Sequence, residues 1–306
     1  MGALTLKTHL TLNHSTLQPS AGYPARRQHR AFCLDIARKA LGCLHAELAL
    51  HPKPGLVSLL DNGSHDDMTA ATFMRSMFAL RHYFKQVCQA GLDEAPFAIL
   101  KRLAIDAERR MLEATGGINT HRGAIFSLGL LCAAAGSARA RRLTLTPETL
   151  QAAIVSRWGV ALTAHAISGA VDTHGLQAAS RHASSGAREE GALGLPSVFE
   201  IGLPALHATL KAGRSMRHAR IDTLFALMAH ISDTNVIHRG GMAGALTVKH
   251  HAQNFIDMGG SANLEWHSVA LACHQAFVAQ KLSPGGAADL LAATCLVHAV
   301  MTCDVT

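Results

Sequence analysis

Apolar residues recur at spacings of three and four over most of this chain. Leu34, Ala37, Leu41, Leu44 and Leu48 form one such series, and Phe73, Met77, Leu80, Phe84 and Val87 form another. Each series places its side chains on one face of an α-helix, the face a packed core covers. A third runs through Phe97, Leu100, Ala104, Ala107 and Met111, with Asp93 and Pro96 as its start signals. Thr146-Pro147-Glu148 marks a later start, a capping Thr with Pro at the first helical position. Further apolar segments cover about 121–135, 147–167, 196–212, 218–231, 242–257, 262–281 and 286–301, which brings the prediction to about ten helices. Residues 168–195 break the pattern with Gly169, Gly175, Gly186, Gly191 and Gly194, so a long connection with a short helix inside it is expected there. Residues 1–25 carry Leu4, Leu6, Leu10 and Leu12 before Pro19, Gly22 and Pro24, and read as a strand-like or flexible arm. No tandem repeat or Pro/Ser linker divides the remainder. The expectation is an all-α protein, with an arm over 1–25 and a single helical domain over 26–306.

Composition supports this and narrows the partners. Of 306 residues, 49% are apolar but only 5% aromatic, which favours helices packed closely on Ala and Leu over a sheet of β-branched residues. The longest uncharged run, Gly123–Ala138, is broken by Ser and Gly and falls short of the roughly 20 apolar residues of a membrane span. The N-terminus lacks the apolar stretch of a secretory signal, so the chain reads as cytoplasmic and free of membrane. Seven Cys without a C-x-x-C pair fit neither a disulfide framework nor a zinc site. A formal charge of +7 points to anionic partners: nucleic acid, anionic lipid or phosphorylated small molecules. Lys and Arg form no long run and are mixed with acidic residues, which argues against nucleic acid.

Four segments crowd Gly, basic and acidic residues where apolar helices begin. In Gly116-Gly117-Ile118-Asn119-Thr120-His121-Arg122-Gly123, either Asn119 or Thr120 is a natural cap. His121 and Arg122 then occupy a first turn where the helix dipole disfavours cations by about 0.3–1 kcal/mol each. A bound anion would compensate, since helix N-termini offer free N–H groups and Gly116-Gly117 permits close approach. Between Pro52 and Met68, Lys53 is a candidate phosphate ligand, with Gly55 in the same turn, and Asp66 and Asp67 sit where the next helix starts. Glu47, Asp61, Asp66 and Asp67 could supply the one or two carboxylates that hold Mg²⁺ beside phosphates. Asp233-Thr234-Asn235 with His238-Arg239-Gly240-Gly241, and Ser283-Pro284-Gly285-Gly286 with Asp289, repeat the recipe, and Arg188-Glu189-Glu190 lies in the irregular connection. No P-loop, dinucleotide, zincin or nucleophile-elbow motif is present.

Taken in order, Glu47, Pro52-Lys53-Pro54-Gly55-Leu56-Val57, Asn62-Gly63-Ser64-His65-Asp66-Asp67-Met68, Asn119-Thr120-His121-Arg122-Gly123, Asp233-Thr234-Asn235, Arg239-Gly240-Gly241 and Ser283-Pro284-Gly285-Gly286-Ala287-Ala288-Asp289 resemble the triphosphoribosyl-dephospho-CoA synthase family over about residues 26–300. Members commonly carry Asp where Ser58 stands, Gly-Ala-His where Gly63-Ser64-His65 stands, and Arg-Gly-Glu where Arg188-Glu189-Glu190 stands. These departures resemble the branch serving malonate decarboxylase rather than citrate lyase. The resemblance implies transfer of the triphosphoribosyl group of ATP to the 2′-hydroxyl of 3′-dephospho-CoA at a central nucleotide site, with release of adenine. It further implies passage of the product to a holo-acyl-carrier-protein synthase, and a homodimer is the assembly to look for.

On that reading Lys53, Gly55, Gly117, Asn119, Thr120, Arg122, Gly123, Arg188, Asn235, Arg239, Gly240, Gly241 and Gly285 bind the substrates, and Asp61, Asp67, Asp233 and Glu190 are the Mg²⁺ candidates. Glu47, Asp66 and Asp67 are the catalytic carboxylates in view, with Asp233 beside them and acid and base unassigned. His65 or His121 could instead protonate the departing adenine. Two other functions remain open on sequence: an ADP-ribosyl or nucleoside hydrolase that uses water as nucleophile, and a basic helical protein that binds nucleic acid.

Overall fold

The computed structural model describes residues 22–171 and 187–302, and all of its regular structure is helical. Residues 1–21 of the expected arm and 172–186 of the expected connection lie outside the described part. The chain order is α1 (Gly22–Leu48), α2 (Ala70–Leu80), α3 (Tyr83–Leu92), α4 (Phe97–Thr115), α5 (Arg122–Ala140) and α6 (Pro147–Val171), then a helical turn at 187–192 and a π-helical turn (Ser197–Gly202). It continues with α7 (Leu203–Lys211), α8 (Met216–His230), α9 (Thr234–Asp257), α10 (Trp266–Ala279) and α11 (Gly285–Met301).

The core is built around α5 and α11, whose residues are mostly apolar, many of them small, and mostly buried. α5 has the length and hydropathy of a membrane span, yet 78% of its most apolar stretch is buried inside the protein. α1 and α3 cover one side of this pair, and α8 with the π-helical turn covers α11 on another. Close approach requires missing side chains. A Cβ on Gly91 of α3 would lie 1.9 Å from the Ala133 carbonyl oxygen, and one on Gly136 of α5 would lie 2.1 Å from that of Cys88. The two backbones therefore touch, and substitution at either glycine must push them apart.

The Phe73–Val87 periodicity predicts one helix, but the chain forms two. α2 ends at Leu80, and α3 starts afresh after His82, which lets Tyr83 swing inward and donate its hydroxyl to the Ile125 carbonyl at 2.9 Å. The apolar spacing survives such a break, so it could not reveal it. α2 is capped by Thr69 in a reciprocal capping box with Thr72, not by Asp66 or Asp67, which lie ahead of it. α9 begins at Thr234, capped by Asp233 and earlier than the expected 242, because it contains a break at Gly241 (φ 61°, ψ −161°) that joins two helical pieces. That conformation is essentially closed to other residues.

Candidate active site

One cavity of about 1140 Å³ opens among the starts of α5, α9 and α11. Glu47, His65, Asn119, Thr120, His121, Arg122, Gly123, Arg188, Glu190, Asp233, Asn235, Arg239 and Gly285 all line it, so segments far apart in sequence are brought together. Lys53, Gly55, Asp61, Asp66, Asp67, Gly117, Gly240 and Gly241 are not on its wall.

Each of the latter has another task. Lys53 is 1% exposed and its ammonium is held by Glu47 Oε1 at 2.5 Å, so it serves as the buried partner of a wall carboxylate and not as a surface phosphate ligand. Gly55 (φ 70°) and Gly63 (φ 56°) let the 52–68 loop fold on itself and dock, since a Cβ on Gly55 would lie 2.1 Å from the Leu282 carbonyl oxygen. Asp61 organises the same loop: it accepts the Gly63 N–H at 2.8 Å and faces His51 and His274 at 3.6 and 3.4 Å. Asp66 is exposed beside Lys281, and the exposed Asp67 lies 3.7 Å from His65. Gly117 follows the left-handed Gly116 that ends α4, and its N–H closes on the Leu112 carbonyl at 2.8 Å. Gly240 passes Leu282 so closely that a Cβ would meet its side chain at 2.4 Å, and Gly241 makes the break in α9.

Hydrogen bonds tie the wall segments to one another. Ser64 donates to the Leu282 carbonyl at 2.6 Å, and Arg239 donates to the Ser64 carbonyl at 3.1 Å. Arg239 also donates to His65 Nδ1 at 2.9 Å, which leaves Nε2 to carry the imidazole proton toward Ser283 Oγ at 2.8 Å. Burial, with the nearby Arg239 charge, lowers the His65 pKa and favours this neutral form. Both His65 nitrogens are thus engaged, and the residue acts as a brace between loops. Asp233 caps α9 through the Asn235 N–H at 2.9 Å and reaches the start of α11 through the Ala287 N–H at 3.0 Å. Gly286 is what permits this: its Cβ would stand 3.0 Å from the Asp233 carboxylate. At the third start, Asn119 Oδ1 accepts the Arg122 N–H at 3.2 Å, so Asn119 caps α5 from outside, and His121 holds the cap position without a side-chain bond of that kind.

Charge is layered by depth. Glu47 and Asp233 are buried, whereas Arg122 and Arg239 are exposed at the mouth, Arg122 paired with Glu108 at 2.7 Å. Asp289, quoted from the sequence only as part of its motif, lines the cavity as well. Burial pushes its carboxyl well above the usual carboxylate range, and the charges of Glu47 and Asp233 push it further. Burial also raises the Asp233 carboxyl, opposed by backbone N–H groups of which that of Ala287 is foremost, and raises that of Glu190, opposed by Ser197. The sequence could have flagged Asp289, an acidic residue on an otherwise apolar helix face one turn after Gly285-Gly286. His121 is 2% exposed, and burial, together with the Lys53 charge, lowers its pKa to about 3. It therefore holds no proton that titrates near neutral pH, which removes the reason for reading it as an acid that protonates adenine.

The expected Mg²⁺ ligands do not assemble. Among the described residues no three His, Cys, Asp or Glu side chains converge into a metal site; Asp233 and Glu190 line the cavity while Asp61 and Asp67 stand outside it. The donor chemistry still fits a magnesium ion, which is usually held by one or two carboxylates and completed by substrate phosphates and water. Beyond burial, the charges of Glu47 and Asp233 raise Asp289, and a divalent cation would relieve that repulsion.

Residues 33–305 match the family model described as ATP:dephospho-CoA triphosphoribosyl transferase. A 2-(5''-triphosphoribosyl)-3'-dephosphocoenzyme-A synthase of Pectobacterium atrosepticum is 39% identical over 279 residues, covering 89% of this chain and 91% of that protein. Proteins described as probable synthases of the same kind from Acinetobacter calcoaceticus and Pseudomonas fluorescens are 36% and 38% identical, over 88% and 87% of this chain and 94% and 91% of theirs. No solved structure matches the chain significantly. With nearly the whole helical domain matched, and with its motifs gathered on one cavity, the chain belongs to the ATP:dephospho-CoA triphosphoribosyl transferase family and is a transferase.

Proposed function

We propose that the cavity among α5, α9 and α11 is where ATP and 3′-dephospho-CoA meet, and that the chain's own carboxylates carry the transfer. The observation behind this is the depth at which the wall charges sit: the Glu47 and Asp233 carboxylates are buried, and the Arg122 and Arg239 guanidinium groups are exposed. Two polyanions are attracted by the exposed guanidinium groups of Arg122 and Arg239. At the floor, the positive charge that develops on C1′ as the bond to adenine N9 breaks is stabilised by Glu47, which Lys53 fixes in place. Asp289 is the candidate base for the 2′-hydroxyl of dephospho-CoA, because burial raises its carboxyl well above the ordinary range and makes it a stronger proton acceptor once ionised. This follows the two-carboxylate logic of glycosidic chemistry with a hydroxyl in place of water. Asp233, with the substrate phosphates, would hold Mg²⁺, whose contribution is to neutralise the triphosphate.

The test is incubation of the purified protein with ATP, Mg²⁺ and dephospho-CoA, followed by mass spectrometry. Free adenine together with a dephospho-CoA adduct that keeps three phosphates is expected; ADP or pyrophosphate as the stoichiometric product rejects the reading. Asp289→Asn should lower kcat by about 10²–10⁴ fold and leave nucleotide binding in place.

The departures at Ser58, Gly63-Ser64-His65 and Arg188-Glu189-Glu190 support a finer assignment, supply of the prosthetic-group precursor to the malonate decarboxylase acyl carrier protein through a holo-acyl-carrier-protein synthase. Deleting the gene in its host should abolish growth on malonate. Loss of citrate fermentation with malonate growth intact would move the enzyme to the citrate lyase branch.

A further inference from the structure

Ser76 belongs to none of the motifs above, yet its hydroxyl lies 2.6 Å from His121 Nδ1, and the two residues are 0% and 2% exposed. Among the described residues the Ser76 hydroxyl has no other hydrogen-bond partner. A buried hydroxyl proton needs an acceptor, and Nδ1 is the one within reach. Ser76 therefore donates, Nδ1 accepts, and the single proton of the neutral ring sits on Nε2. That Nε2 is buried and has no partner in the protein, and neither has the neighbouring Thr120 hydroxyl. Both residues line the cavity, so the orphaned N–H calls for an acceptor on a ligand.

The surroundings select the acceptor. The Phe73 ring meets the imidazole edge to face at 5.0 Å, and the His121 main-chain N–H rests on the Met111 sulfur at 3.3 Å. Lys53, whose charge is felt at the ring, is bound to Glu47, and the guanidinium groups that would neutralise a phosphate stand at the exposed mouth. An uncharged donor beside an aromatic wall suits a flat heteroaromatic base better than a phosphate.

We propose that Ser76 is a positioning residue that holds the His121 proton on Nε2, so that this N–H hydrogen-bonds a ring nitrogen of adenine as the base departs. The inference rests on the reading that ATP loses its adenine in this cavity. As the C1′–N9 bond breaks, its electron pair passes into the purine, where the hydrogen bond stabilises it. The 2′-hydroxyl of dephospho-CoA forms the new bond to C1′ and gives its proton to Asp289, from which it reaches the released adenine through solvent. His121 keeps its own proton throughout.

Two measurements test this. In protein carrying ¹⁵N-labelled histidine, with the His121 signals identified by comparison with His121→Gln, the wild type should show the Nε2–H tautomer and Ser76→Ala a mixture. A wild-type ring protonated on Nδ1 overturns the proposal, and this readout needs no activity. In kinetics, either 3-deaza-ATP or 7-deaza-ATP should react at least about tenfold slower than ATP with the wild type, and that penalty should shrink to about twofold or less in Ser76→Ala. A penalty of unchanged size in Ser76→Ala, or none for either analogue in the wild type, overturns it. A uniform slowing with all three nucleotides would mark Ser76 as merely structural and overturns it too. Failure of the underlying reading would show separately, as wild-type protein that releases no adenine from ATP.

Discussion

Gly123 presses its α-carbon against a carboxylate: a Cβ there would lie 2.1 Å from Asp289 Oδ2. Alanine is the better helix former by about 1 kcal/mol, so Gly123→Ala should leave the melting temperature within a few degrees of wild type. Displacing Asp289 should nevertheless cut kcat by at least about tenfold, a split that calorimetry and steady-state kinetics would resolve. Asp289 also makes a pH-dependent prediction. Its folded carboxyl titrates well above its unfolded one, so between the ordinary carboxylate range and the raised value the native state holds the extra proton. Stability due to this group is present at low pH and is lost as pH rises through that window. Without divalent cations, Asp289→Asn should therefore raise the melting temperature at pH 8, and the gain should shrink at pH 5; a gain independent of pH would refute it. At this scale the sequence was legible where helix-start chemistry marks a wall residue, as at Asp233, Asn119 and Arg239. It was not legible for Lys53, Asp61 or Gly117, because a charged or flexible residue near a motif looks the same whether it faces the cavity, pairs beneath it or ends a helix.

The helices themselves were readable from the period of their apolar faces, and the breaks within them were not. The roughly four turns of chain between Phe73 and Val87 keep the same spacing on either side of His82, so nothing apolar announces that α2 stops and α3 begins in a new direction. The Gly91 and Gly136 positions carry more of that information than the Leu and Phe positions do, since they fix how near α3 and α5 can come. Gly136→Ala should cost about 1–3 kcal/mol through backbone displacement, measured as a lowered midpoint of urea unfolding. The exposed Ala140, at the end of the same helix, is the control, and Ala140→Ser should change stability by less than about 0.5 kcal/mol.

Across the whole molecule, three of the four corners, though separated by long stretches of chain, are tied because loops dock on loops: 52–68 on Leu282 and Ser283, Arg239 on Ser64 and His65, Asp233 on Ala287; the fourth, 116–123, shares the cavity wall with them. Motif order along a sequence carries no distances, and so convergence of these corners could be expected from chemistry but not measured by it. The depth ordering of charge has a consequence for inhibitor design. A ligand that is positive at one end and polyanionic at the other matches both zones at once, whereas ATP in its ground state matches only the outer one. A five-membered iminosugar, protonated on its ring nitrogen and bearing a triphosphate tail, should accordingly bind at least about a hundredfold tighter than ATP in competition assays. Replacing that nitrogen by carbon should remove the advantage. Glu47→Gln, which leaves the cationic head facing a neutral amide, should bring the affinities of the two compounds together.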